Sequence, residues 1–124
     1  MSGAPHLDSG RRAEELALAA LEAKGLKLLA RNYRCPMGEL DLVLEDGRQL
    51  VVAEVRYRKD ASRGSAAETV GAEKQRKLVL ATQHLLQRHP DWRRRPLRFD
   101  VVAVSDGDGG AAVEWIQDAF QAGQ

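Results

Sequence analysis

Several residue types are scarce in this chain of 124 residues, and each shortage excludes a class of protein. Cysteine occurs once, at Cys35, so the chain cannot form an internal disulfide, and a reducing compartment is expected. No apolar run approaches the roughly 20 residues that a membrane-spanning helix needs. The first residues, MSGAPHLDSGRR, lack the apolar stretch of a secretory signal. We therefore expect a cytoplasmic protein that is not embedded in a membrane.

Charge of either sign is not in excess. The 19 lysines and arginines face 18 aspartates and glutamates, which gives a net charge of +1. Overall charge therefore indicates no particular partner, and a nucleic-acid interaction must be argued from local groups. The length suits one domain, predicted over residues 11–120 after a flexible tail over 1–10. The sequence has no phosphate-binding glycine loop, nucleophile elbow or zinc motif, so no small-molecule cofactor is expected.

The pattern of helix formers, apolar residues and turn residues predicts seven elements in the order α-β-β-β-α-β-β. The predicted helices cover residues 11–24 and 72–88. The predicted strands cover residues 26–33, 39–44, 49–57, 97–104 and 112–116. This order indicates an α/β protein with a mixed sheet flanked by two main helices.

The same pattern predicts which helix faces pack inward. The first helix is expected to end at a left-handed cap on Gly25 and to bury the face of Leu16, Ala20 and Ala23, with Ala13 and Ala17 nearby. The inner face of the second helix is expected to consist of Leu78, Ala81, Thr82 and Leu85.

Residues 38–58, GELDLVLEDGRQLVVAEVRYR, place carboxylates inside two apolar strands. A two-residue turn at Asp46-Gly47 would put Glu39 opposite Glu54 on one face of the hairpin. That turn would also put Asp41 opposite Val52. The face with these carboxylates then carries Glu39, Asp41, Val52, Glu54 and Arg56. The other face is apolar and carries Leu40, Leu42, Leu44, Val51, Ala53, Val55 and Tyr57.

Two interpretations of the polar face remain open from the pattern alone. Antiparallel sheets are commonly polar on a solvated face, where Arg56 would form a weak surface ion pair. Alternatively, Asp41 and Glu54 bind a divalent cation, since Mg²⁺ uses one or two carboxylates and keeps several waters. Two carboxylates, a metal ion and a cationic side chain would suit the hydrolysis of a phosphodiester.

The residues of this hairpin resemble the signature of the PD-(D/E)xK nucleases. Asp41 in GELDLV is the first acid, Glu54 in AEVRYR is the second, and Arg56 stands where lysine is usual. Together with AEELALAALEAKGLKLLARNYR, GAEKQRKL, RFDVVAV and VEWIQDAF, they resemble the YraN family over roughly residues 10–120. These are small bacterial proteins with a restriction-endonuclease-like fold. The resemblance implies that fold and a metal-dependent nuclease acting on DNA, with branched or single-stranded DNA as candidate substrates.

The resemblance also implies roles for individual residues. The implied catalytic residues are Asp41, Glu54, Arg56 and Glu14. Asp41 and Glu54 would bind Mg²⁺ or Mn²⁺ with the carbonyl of Val55, and Glu14 would be a further acid near the metal or only a solvated helix residue. Lys74 matches a characteristic lysine, which would contact a phosphate or merely flank the helix start. The residues expected to hold DNA phosphates are Arg56, Arg58, Arg63, Lys74 and Lys77.

Arg56 is the departure from the signature. Lysine can act as a base when its pKa is depressed, whereas arginine essentially cannot lose its proton. Arg56 could therefore stabilise charge or position water, but it could not serve as the base. A second hypothesis follows, in which the fold no longer cleaves and instead binds nucleic acid or a protein partner.

Three further expectations complete the sequence analysis. The chain is expected to be a monomer or a weak homodimer. Asp100 lies among apolar residues of a strand, so a specific and structural partner is expected for it. The roles of Glu39 and of the run Arg93–Arg95 are left open.

Overall fold

The computed structural model describes residues 5–58, 70–107 and 110–122. Its elements are α1 (Pro5–Ala23), β1 (Lys27–Cys35), β2 (Gly38–Asp46), β3 (Gln49–Arg58), α2 (Ala72–Arg88), a short 3₁₀ turn (Pro90–Trp92), β4 (Leu97–Gly107) and β5 (Gly110–Phe120). Within these residues the strands form one sheet in the order β1-β2-β3-β4-β5. Only β3 and β4 run parallel, and the other neighbours are antiparallel. The predicted element order and mixed sheet are confirmed, and both are consistent with a restriction-endonuclease-like fold.

Helix α1 begins at Pro5 rather than at Arg11, so residues 5–10 continue the helix instead of belonging to a tail. Proline suits the first helical turn because its missing N–H would have no partner there. Once a helix is nucleated, each further residue adds a hydrogen bond at little entropic cost. No helix among the described residues is long and apolar enough to cross a membrane.

The C-terminal end of α1 has the predicted cap. Gly25 takes a φ of 95°, its N–H donates to the carbonyl of Glu22 at 2.9 Å, and the N–H of Leu26 donates to the carbonyl of Leu21 at 3.1 Å. This is the Schellman pattern, in which a glycine without a Cβ accepts the left-handed conformation. Leu26 is buried beside the last turn and begins the route into β1.

The buried face of α1 differs from the predicted one. Ala13, Ala17 and Leu21 are almost fully buried, whereas Leu16 is half-buried and Ala23 is exposed. The buried face is therefore Ala13, Ala17 and Leu21, in which two small residues suit close packing of a helix on a sheet. The predicted inner face of α2 is confirmed by the burial of Leu78, Ala81, Thr82 and Leu85.

Each helix covers one face of the sheet and forms a separate core there. The core under α1 contains Ala13, Ala17, Leu21, Leu26, Leu42, Leu44, Val51, Ala53, Val102 and Val104. The core under α2 contains Leu40, Val43, Val52, Val70, Leu78, Ala81, Leu85, Phe99, Val101 and Ala103. Neither face of the hairpin is a fully solvated one.

The register of the hairpin is shifted by two residues from the predicted register. Asp46 pairs with Gln49 and Val43 pairs with Val52, so the loop is Gly47-Arg48 and the predicted pair of Asp41 with Val52 is wrong. Gly47 supplies a φ of 62° at the first loop position, which the tight turn requires. Continued along the strands, this register brings Asp41, not Glu39, next to Glu54.

The β2–β3 ladder ends at the pair Leu42 and Ala53, just before Asp41. Leu40, on the far side of Asp41, lies in the core under α2, although regular alternation would place it with Leu42 under α1. The predicted apolar face is therefore broken at Leu40. The side of the sheet on which the side chains of β2 lie thus changes between Leu42 and Leu40, and Asp41 is the residue between them.

Candidate active site

Glu54 is the central buried charge of the site. It lies in β3 among apolar neighbours, and its side chain is only 5% exposed. Its Oε2 faces Lys74 Nζ at 3.4 Å and Arg56 Nη2 at 3.8 Å. Its Oε1 is also buried, and no described residue offers it a hydrogen bond. A buried carboxylate oxygen without a partner is costly, so this oxygen is a candidate ligand atom.

Asp41 is held against Glu54 by the backbone of β3. Its Oδ2 accepts a hydrogen bond from the N–H of Val55 at 2.9 Å, which takes the place of a regular ladder bond. The carboxylate is thereby fixed beside the residue that precedes Val55. Val55 thus contacts Asp41 through its amide, and the predicted role of its carbonyl as a metal ligand stays a prediction.

Burial raises the pKa of Glu54 to about 7, and the negative charge of Asp41 adds to this rise. Lys74 and Arg56 act in the opposite direction, but they do not offset the loss of solvation. The site thus keeps two carboxylates close together where water solvates them poorly. A bound cation would reverse the repulsion between them.

The carboxylates fit a hard divalent cation. Mg²⁺ and Mn²⁺ prefer oxygen ligands, and Mg²⁺ commonly uses one or two carboxylates while keeping several waters. In the part of the chain that the structure describes, no three residues of His, Cys, Asp or Glu gather as a metal-binding group. A cation at this site would therefore depend on Asp41 and Glu54, with water in the other positions.

Glu14 of α1 lies near Asp41, on the side of the sheet that α1 covers. Its Oε1 accepts a hydrogen bond from Asn32 Nδ2 at 3.1 Å and lies 3.6 Å from Arg31 Nε. Partial burial and the charge of Asp41 raise the pKa of Glu14. Its side chain is 21% exposed, so the carboxylate contacts β1 instead of extending from the helix into solvent.

The predicted phosphate-binding residues are only partly brought together. Lys74 lies in the first turn of α2 against Glu54, and Lys77 follows it on the same helix, beside Gly38. Arg58 is the half-buried last residue of β3. Arg63 lies outside the described residues.

A polar groove of about 620 Å³ opens beside Glu14. The residues that line it are Arg11, Glu14, Glu15, Arg31, Asn32, Arg34 and Glu39. Glu39, whose role the sequence left open, pairs with Arg34 of β1, and its Oε2 lies 3.7 Å from Arg34 Nε at the wall of this groove. The groove therefore runs along α1 and β1 next to Glu14, and neither Asp41 nor Glu54 lines it.

Asp100 has the structural partners that its position predicted. Its fully buried carboxylate accepts hydrogen bonds from Arg98 Nε at 2.9 Å, from Trp115 Nε1 at 2.8 Å and from the N–H of Asp118 at 2.9 Å. These bonds tie β5 to β4 at the register shift between Phe99 and Val101. We assign Asp100 to the fold and not to the site.

The run Arg93–Arg95 is partly structural as well. Arg95 Nη2 contacts Glu45 Oε1 at 2.8 Å, and its Nε donates to the carbonyl of Arg48 at 2.7 Å. Arg93 Nε donates to the carbonyl of Leu86 at 3.2 Å. These contacts fasten the connector before β4 to the hairpin turn and to the end of α2.

Two residues at the site were not identified from the sequence. Arg31 and Asn32 of β1 both contact Glu14, and Asn32 does so from a left-handed backbone conformation. The only signal for Asn32 is its residue type, because asparagine tolerates positive φ better than most residues. Sequence alone does not show that this conformation occurs inside a strand.

The chain is similar over most of its length to proteins of one bacterial family. The model of the "Uncharacterised protein family UPF0102" matches residues 13–104. A UPF0102 protein of Nitrosococcus oceani is 44% identical over 121 residues, which cover 98% of each chain. A UPF0102 protein of Stutzerimonas stutzeri is 49% identical over 113 residues, covering 91% of this chain and 94% of the relative. One of Pseudomonas aeruginosa is 47% identical over 117 residues, covering 93% and 94%. The matched region includes Glu14, Asp41, Glu54, Arg56 and Lys74.

Proposed function

Because the chain belongs to the uncharacterised protein family UPF0102, which is the YraN family, we propose a function from its own site. The function is metal-dependent hydrolysis of DNA phosphodiester bonds, with Asp41 and Glu54 as the ligands of Mg²⁺ or Mn²⁺. Branched or single-stranded DNA is the proposed substrate class. The family match and the relatives confirm the predicted resemblance to the YraN family, whereas the nuclease activity is our proposal.

The buried carboxylate of Glu54 is the observation that carries this proposal. A glutamate with an unpaired buried oxygen and a pKa of about 7 opposes folding at neutral pH. Asp41 stands beside it and makes its ionisation less favourable. Charged groups that destabilise a fold are commonly kept for function, and a divalent cation turns this repulsion into attraction.

The remaining site residues have separate proposed roles. When bound, the metal ion would polarise a phosphoryl oxygen and lower the pKa of a coordinated water. Lys74 and Arg56, both beside Glu54, would stabilise the negative charge that develops on the phosphate. Arg56 cannot act as a base because arginine keeps its proton. Lys77 and Arg58 would hold neighbouring phosphates.

Arg56 also supports a second candidate function. With arginine in the position where nucleases of this signature usually have lysine, the chain could bind nucleic acid or a protein partner without cleaving it. The two functions predict different results for Arg56→Lys. If the chain is a nuclease, the wild-type protein cleaves DNA. If it is a binding module, the wild-type protein does not cleave, and cleavage is seen only with the Arg56→Lys variant or with neither protein.

Calorimetric titration with Mn²⁺ and Mg²⁺ tests the proposal at its first step. Wild type is expected to bind with a millimolar or lower Kd, and Asp41→Asn and Glu54→Gln are expected to abolish binding without unfolding the chain. Glu22→Gln on the exposed face of α1 is the matched control and should bind as wild type does. Absence of binding by wild type, with and without DNA, would refute the metal site.

Cleavage is then measured on labelled branched, single-stranded and duplex DNA with Mg²⁺ or Mn²⁺. We expect product from wild type and none from Asp41→Asn. Metal binding without cleavage of any of these substrates by wild type would favour the second candidate function.

A further inference from the structure

Asn32 has an unusual backbone for a residue in the middle of a strand. Its φ is 54°, in the left-handed region, although β1 continues on both sides of it. Among the described residues, only Asp118 shares a positive φ without being glycine. Such conformations are strained for a residue with a Cβ and persist only where the surroundings enforce them.

The strained residue lies directly across from the site. Arg31 pairs with Leu42 and Tyr33 pairs with Leu40, which leaves Asn32 facing Asp41 between these two pairs. On its other side, Asp41 receives the N–H of Val55 on its side chain. Both neighbours of Asp41 thus depart from regular pairing at the same point of the sheet.

The side chain of Asn32 connects this point to α1. Its Nδ2 donates to Glu14 Oε1 at 3.1 Å, and Arg31 Nε adds its charge to the same oxygen at 3.6 Å. Both of these contacts of Glu14 Oε1 come from residues of β1. The charge of Glu14 in turn acts on Asp41, which lies close enough to contribute to the pKa of Glu14.

We propose that Asn32 is a positioning residue of the cation site, which acts by fixing the Glu14 carboxylate beside Asp41. The left-handed backbone lets the amide reach across the sheet to α1. With Glu14 fixed there, its negative charge adds to the attraction for a divalent cation at Asp41 and Glu54. This inference depends on the proposed function, because it assigns Asn32 to the same metal site.

Asn32→Gly separates positioning from stability. Glycine accepts a φ of 54° without strain but cannot donate to Glu14, so the relief of strain offsets part of the lost hydrogen bond and the chain should stay folded. Calorimetry with Mn²⁺ should show affinity weaker by about 10-fold, the lower end of the range for partners of ligand side chains. Asp118→Gly makes the same change at the other left-handed residue and should leave the affinity within about twofold.

A double-mutant cycle with Glu14→Ala tests the route of the effect. If Asn32 acts through Glu14, Asn32→Gly should weaken Mn²⁺ binding in wild type and have no further effect in the Glu14→Ala background. Equal losses in both backgrounds would overturn the inference, and so would wild-type affinity in Asn32→Gly. In both cases wild type still binds Mn²⁺, so the proposed function stands.

Failure of the proposed function gives a different result. Wild type would then not bind Mn²⁺ at all, while the NMR signal of the Asn32 side-chain amide would still shift on Glu14→Ala. That outcome would make the contact between Asn32 and Glu14 purely structural, and it would overturn the positioning role as well.

Discussion

Glu54→Gln is expected to stabilise the metal-free protein at alkaline pH. Glutamine has nearly the same shape as the protonated glutamate but has no charge to desolvate. The pKa of Glu54 rises from 4.5 to about 7 on folding, and one pKa unit corresponds to about 1.4 kcal/mol. Ionisation of Glu54 therefore lowers the free energy of unfolding by about 3 kcal/mol at pH 8, and the substitution should restore about that amount.

The sign of the pH dependence follows from the direction of the shift. Because the folded-state pKa is raised, the folded protein holds a proton between about pH 4.5 and 7 that the unfolded chain releases. Stability is therefore lost as the pH rises through this window. The advantage of Glu54→Gln should shrink to less than about 1 kcal/mol at pH 4.5.

Urea denaturation in EDTA from pH 4.5 to pH 8 measures this difference. Glu22→Gln, an exposed control, should change the free energy of unfolding by less than about 0.5 kcal/mol at every pH. Lys74→Met should lower the stability of wild type at pH 8, because Lys74 favours the ionised Glu54, and it should have little effect in the Glu54→Gln background.

Mg²⁺ at 100 times its Kd, added in place of EDTA, should raise the free energy of unfolding of wild type by about 2.7 kcal/mol and leave that of Glu54→Gln unchanged. A Glu54→Gln variant no more stable than wild type at pH 8 would refute the reasoning.

Two further predictions concern the fold and are checked by the same denaturation assay. Gly25→Ala should lower the free energy of unfolding by about 1 kcal/mol, because Gly25 has a φ of 95°. Gly10→Ala, inside α1 with open space around it, should raise it by up to about 1 kcal/mol, and a loss at Gly10 would contradict the helix assignment. Asp100→Asn should cost about 3 kcal/mol because it removes the fully buried carboxylate that pairs with Arg98 and leaves only an exposed one. Asp46→Asn, which removes an exposed partner of the same arginine, should cost less than about 1 kcal/mol, and equal losses at both aspartates would be inconsistent with this difference in burial.

The sequence predicted the elements of the fold because its local signals agree with its packing. Gly25 ends a run of helix formers, and the apolar spacing of α2 matches its buried face. Such signals depend on residues that are close in sequence, so they can be recognised without knowing the tertiary structure. They place Asp41 and Glu54 on adjacent strands without any knowledge of the sheet order.

The details of the site depend on long-range packing and could not be predicted in the same way. A turn at Asp46-Gly47 and a turn at Gly47-Arg48 both use the glycine, and local propensity does not choose between them. The choice decides whether Glu39 or Asp41 lies beside Glu54. The left-handed backbone of Asn32 likewise arises from contacts across the sheet and not from its neighbours in sequence.

The parallel pairing of β3 with β4 has a consequence for the order in which the site assembles during folding. β1, β2 and β3 follow one another through tight turns, so their contacts close short loops. β4 joins β3 only after residues 59–96, which include α2, have crossed over. Because longer loops close more slowly, we expect Asp41 and Glu54 to meet before Lys74 docks against them. The two carboxylates that repel each other would then come together early in folding. Lys74, whose positive charge offsets part of this repulsion, would reach them late.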